Sequence, residues 1–102
     1  MNKPMGETLT DPKTLERLAC LIEECGEVLQ CAGKIMRHGY HTVYKEQTNR
    51  WRLEEEIGQL EFIIGFLKEN GDIDPINVLN ATLRKRDKIQ KYFHHNKVVT
   101  YT

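Results

Sequence analysis

The chain has 102 residues, and its fifteen Lys and Arg balance fifteen Asp and Glu, for a formal net charge of zero. That length holds one domain with a modest core, for which oligomerisation is a ready way to bury more surface. Zero net charge argues against a protein built mainly to grip nucleic acid or an anionic membrane, and no stretch approaches the ~20 apolar residues of a membrane span.

Residues 1–10 are polar, with Pro4 and Gly6, and read as a loose segment without the apolar run of a secretion signal. A helical domain is expected over 11–95, followed by a tail over 96–102. Its first helix should start near Thr10 or Asp11, with Pro12 in the first turn, and stop at Gly39. Leu15, Leu18, Ile22, Cys25, Leu29, Ala32 and Met36 recur in steps of three and four, a sustained helical stripe. Leu21, Val28 and Ile35 widen it, as a globular bundle helix requires. Cys20, Cys25 and Cys31 all fall in this helix, too close together to bridge there and at spacings unlike zinc sites. Reduced thiols fit a cytoplasmic protein.

After the loop 39–42, a second helix is expected over 43–70 and closed by Gly71. Leu53, Ile57, Leu60, Ile64 and Leu67 form its main stripe, while Trp51, Phe62 and Phe66 lie on another side. From Leu60 to Leu67 the helix is apolar nearly all round, which predicts cover on two faces and so a second subunit, in a dimer or tetramer. Asp74-Pro75 is a capping residue followed by proline at the first helical position, and it opens a third helix that runs to about Phe93. The β-prone tail Val98–Thr102 is either loose or paired with something. The fold class is all-α: a bundle of about three main helices per chain, completed by oligomerisation.

Two acidic groups stand out along these helices. In Glu23-Glu24-x-x-Glu27 the three carboxylates span roughly a quarter of the helix circumference. They lie nearly opposite the apolar stripe, where a solvated face is the plain alternative to a cation site. In the second group, Glu54-Glu55-Glu56, the wheel separates the members. Glu54 points well away, whereas Glu56 falls beside Leu60, Ile63 and Leu67. A carboxylate among core positions calls for a cation, either a metal ion or an Arg or Lys side chain. Hard oxygen ligands suit magnesium or manganese. Lys34 and Arg37 follow Glu27 on roughly the same face, placed either to meet phosphate oxygens or to solvate a helix end. His38 and His41 straddle a helix-ending glycine and make poor ligand partners. No Gly-rich phosphate loop of the P-loop type is present.

Taken together, Glu23-Glu24-x-x-Glu27, about thirty intervening residues and Leu53-Glu-Glu-Glu56-Ile-Gly-Gln-Leu60 resemble the MazG-like all-α nucleotide pyrophosphohydrolases. The Lys34-x-x-Arg37-x-Gly39 segment and Glu69-Asn70-Gly71-Asp72-Ile73 resemble the short, phage-type members. The resemblance covers roughly residues 15–93. It implies metal ligation by Glu23, Glu24, Glu27 and Glu56, a magnesium cofactor and a nucleoside triphosphate substrate. It also implies a homo-oligomer, dimer or tetramer. The late basic segment, with Lys85 and Lys91, would meet phosphates alongside Lys34 and Arg37. One departure is clear: the family signature ends on Asp where this chain has Gln59, a neutral carbonyl oxygen in a ligand position.

The expected reaction is metal-assisted attack of water on the α-phosphorus, giving monophosphate and pyrophosphate, with Glu24 ordering or deprotonating the water. Trp51, Tyr40 or Phe62 would stack on a base or simply pack. The main alternative, supported by Gln59, is a weakened or inactive helical dimer that binds nucleotides or a protein. A DNA-binding regulator using Arg84-Lys-Arg86 is a further alternative, and the neutral total charge counts against it.

Overall fold

The computed structural model describes residues 8–98, which form three helices and one small hairpin: α1 (Pro12–His38), β1 (Val43–Tyr44), β2 (Gln47–Thr48), α2 (Asn49–Glu69) and α3 (Pro75–Tyr92). The molecule is all-α in character, and each helix begins on a local signal. Asp11 caps α1 by accepting from Thr14 N, and Pro12 occupies the first turn. Asp74 does the same for α3 through Ile76 N, ahead of Pro75. Such caps satisfy amide groups that the first turn leaves orphaned. At the other end of α2, Gly71 adopts φ 74°. The amides of Gly71 and Asp72 then reach back to Lys68 O and Leu67 O, a Schellman closure.

The expected second helix starts six residues late. Residues 43–48 form an antiparallel hairpin instead, with Val43 opposite Thr48 and Tyr44 opposite Gln47. Its two turn residues, Lys45 and Glu46, have φ 51° and 71°. Positive φ at both central residues is the backbone of the tight hairpin turn, built here without the usual Asn or Gly. Thr48 then caps α2 through Trp51 N. Asn49 is buried, and its Nδ2 donates to Gly39 O, which ties the start of α2 to the end of α1.

α1 and α2 form the packed unit. The face of α1 turned toward α2 carries the half-buried Leu18, Leu21, Glu24, Val28, Cys31 and Ile35. Part of the stripe expected to be the core face is turned outward instead: Ile22 and Leu29 are about three-quarters exposed and Met36 more so, while Leu18 and Ala32 of the same stripe stay half-buried. Ile63 and Leu67 are the buried hydrophobic side chains among the described residues. α3 packs little on either helix, and Ile76, Leu79 and Leu83 stay exposed. Arg17 anchors the α2–α3 turn through a bidentate pair with Asp72, Nε to Oδ2 at 2.5 Å and Nη2 to Oδ1 at 3.0 Å. The radius of gyration is 17.6 Å, against about 13 Å for a compact chain of this length. No helix among the described residues is long and apolar enough to cross a membrane.

Candidate metal centre

Burial of one α2 carboxylate against two from α1 defines the site. Glu24 and Glu27 lie three residues apart on α1, close enough in angle to share a face. Glu56 extends from α2 on the face that also carries Leu53, Leu60, Ile63 and Leu67. One oxygen from each of Glu24, Glu27 and Glu56 lies within 4.8 Å of the others. Among the described residues this is the one group of three or more His, Cys, Asp or Glu side chains that converge in this way. Glu24 Oε2 and Glu56 Oε2 are buried and have no hydrogen-bond partner.

Three carboxylates at that separation repel one another, and the strain appears in the proton affinity of Glu56. A proton shared with the Glu27 carboxyl, burial, and the charges of Glu27 and Glu24 push Glu56 up to about 7. Burial and the Glu56 charge also push the neighbouring Cys31 thiol up, so it is not prepared to act as a thiolate ligand. All-oxygen donors, two of them orphaned, fit a hard divalent cation such as magnesium or manganese. The helices therefore place Glu24 and Glu27 in the α1–α2 seam and not on the solvated face opposite the core.

Two expected ligands stand apart. Glu23 is exposed and lies outside the converging group, because its position next to Glu24 turns it about 100° around α1. Gln59, one turn beyond Glu56, is exposed as well. Lys34 does reach the site: it lines the cavity of about 260 Å³ beside the carboxylates, with Glu27, Gln30, Cys31, Trp51, Arg52, Glu55 and Glu56. Arg37 stands further along, in an adjoining cavity of about 410 Å³ with Lys34, His38, Thr42, Val43, Tyr44, Asn49 and Arg52. Lys85 and Lys91 are exposed on α3 and line neither cavity, since α3 leaves the α1–α2 unit. His38 ends α1 in the basic cavity and His41 is exposed beyond it; neither joins the carboxylates.

Sequence reasoning misses Arg52. The available signal is its place one turn before Glu56, on the half-buried face of α2. Of the aromatic candidates, Trp51 borders the carboxylate cavity, Tyr40 is stacked under Arg50 at 4.7 Å, and Phe62 lies on Phe66 with centroids 5.9 Å apart. Comparison with protein-family models, curated proteins and solved structures finds no match for the chain.

Proposed function

We propose that the chain is a metal-dependent nucleoside triphosphate pyrophosphohydrolase of the MazG-like kind, a cytoplasmic homo-oligomer that converts nucleoside triphosphates to monophosphate and pyrophosphate. The observation that carries this reading is the convergence of Glu24, Glu27 and Glu56, with two orphaned buried oxygens, next to unpaired cationic side chains. Carboxylates alone would suit any divalent cation. Carboxylates beside Lys34 and Arg52 suit a cation that arrives with phosphate.

Glu24, Glu27 and Glu56 would hold magnesium, or manganese in its place. The bound ion supplies charge neutralisation of the triphosphate and acidifies a water molecule. Lys34 binds phosphate oxygens beside the carboxylates. Trp51 presents an exposed ring at the rim, on which a base can stack. In the reaction the water oxygen bonds to the α-phosphorus and the bond to the α–β bridging oxygen breaks. Pyrophosphate leaves with that electron pair. The proton passes to a carboxylate, for which Glu24 is the chosen acceptor.

The exposed apolar faces of α1, α2 and α3 support assembly into a dimer or tetramer. Gln59, in place of the family's acid, supports a second reading: a helical dimer that binds nucleotides without turning them over. A panel of ribo- and deoxyribonucleoside triphosphates with magnesium separates the two. Monophosphate plus pyrophosphate is the expected product pair. Diphosphate plus orthophosphate would mean attack at the γ-phosphate and would overturn the mechanism, whereas binding without products would favour the second reading.

A further inference from the structure

The α1–α2 seam carries opposite charges at its two ends. Glu24, Glu27 and Glu56 occupy one stretch; Lys34 and Arg52 border both cavities; Arg37 and His38 lie beyond them. No carboxylate lines the larger cavity. Among the described residues, none of Lys34, Arg37 and Arg52 is ion-paired with a carboxylate, although Asp and Glu are as numerous in the chain as Lys and Arg. Gathering like charges without a counter-ion is unfavourable. Here the hairpin holds them. Tyr44 offers its ring to Lys34 Nζ at 5.8 Å, Arg52 Cζ at 5.3 Å and Lys45 Nζ at 5.3 Å. Its carbonyl oxygen accepts from Arg52 Nη2. A ring face attracts cations without neutralising them, so their charge stays available to a ligand. Arg52 Nε is itself buried and without a hydrogen-bond partner, a donor that lacks an acceptor.

We propose that this second cavity is a polyphosphate subsite, in which Arg52 and Lys34, held by Tyr44, bind the part of the ligand that lies beyond the metal-bound phosphate. On the reading of the site given above, that part is the pyrophosphate leaving group. Arg52 is then the residue that distinguishes a triphosphate from a shorter chain. Its planar guanidinium carries donors beyond the one given to Tyr44 O, and such a fork favours bridging phosphates over a lone one. Free pyrophosphate, the product, occupies the same place and inhibits competitively.

The test is calorimetric titration of the full chain with inorganic pyrophosphate in the presence of a chelator, so that the carboxylates take no part through a metal. Wild type binds, and Arg52→Gln and Lys34→Gln each weaken binding by about tenfold or more. Lys88→Gln, on the exposed side of α3, leaves it unchanged. Lys34→Gln removes no bond to the hairpin backbone, so it stays informative if Arg52→Gln loosens that hairpin. Pyrophosphate binding that both variants retain overturns the proposal, as does Arg52-dependent affinity for an oligonucleotide exceeding that for pyrophosphate. The two readings fail separately. Arg52-dependent pyrophosphate binding in a protein that hydrolyses no nucleotide removes the reaction and keeps the subsite. Normal turnover with unaltered pyrophosphate inhibition in both variants keeps the reaction and removes the subsite.

Discussion

Replacing Glu56 by Gln should make the metal-free protein more stable and the magnesium-bound protein less so. The rise of the Glu56 carboxyl from 4.5 to about 7 corresponds to about 3.4 kcal/mol of unfavourable charge interaction, at about 1.4 kcal/mol per pKa unit. Glu56 as a whole is only half-buried, and solvent screening lowers the usable figure to roughly 1–1.5 kcal/mol. The sign follows from linkage. Folded Glu56 holds its proton more tightly than unfolded Glu56, so the destabilisation is full above about pH 7 and is lost as pH falls below 4.5, where both states are protonated. Without metal at pH 8, Glu56→Gln should therefore melt about 5–10 °C above wild type, and the gap should close as pH falls below 4.5. Excess magnesium reverses the order. Wild type gains about 2.7 kcal/mol at a hundredfold excess over Kd, while the variant, with one ligand oxygen pair replaced by an amide, gains little. Nucleotide turnover should vanish in the variant with the helical circular-dichroism signal intact. Melts at fixed protomer concentration, with and without magnesium, check this directly. A variant less stable than wild type without metal at pH 8, or equally stabilised by magnesium, would refute the assignment of Glu56.

Gln59→Asp should alter turnover by about twofold at most and stability by about 0.5 kcal/mol or less, because the side chain is exposed. A large gain in magnesium affinity would instead show that a fourth carboxylate belongs to the centre. Light scattering at micromolar concentration should give two or four times the 12.0 kDa chain mass. Leu29→Asp, on the outward face of α1, should shift that mass toward the single chain, and a wild-type monomer would overturn the assembly reading.

Helix ends were the most legible feature of this sequence, since they depend on few neighbours. Asp11-Pro12 and Asp74-Pro75 start α1 and α3, and Gly39 and Gly71 lie just past α1 and α2. The hairpin was not legible. Its strands are two residues each, and Lys45-Glu46 takes up the turn backbone that Asn-Gly would have announced. The Thr48 cap was a usable signal for the true start of α2. Orientation of α1 was also hidden. That helix is apolar over a wide arc, and periodicity finds the arc without saying which part meets α2 and which meets something else. The wheel position of Glu56 was informative because it compared a charged residue with its own helix neighbours. Arg52 escaped because its contact with Tyr44 is made through the hairpin.

The same geometry links the centre to the rest of the fold. Among the described residues Ile63 and Leu67 are the only buried hydrophobic side chains, so hydrophobic burial that holds α1 against α2 is small. Repulsion among Glu24, Glu27 and Glu56 acts across that seam and pushes the two helices apart. A cation bound among these carboxylates would convert the repulsion into attraction, and a partner chain covering the outward faces of the helices would strengthen the seam from outside. Both act on the α1–α2 arrangement, and each therefore favours the other by the same free energy. On the proposed reading the acidic cluster would serve the fold as well as the chemistry, because the cation that it holds would also hold α1 against α2.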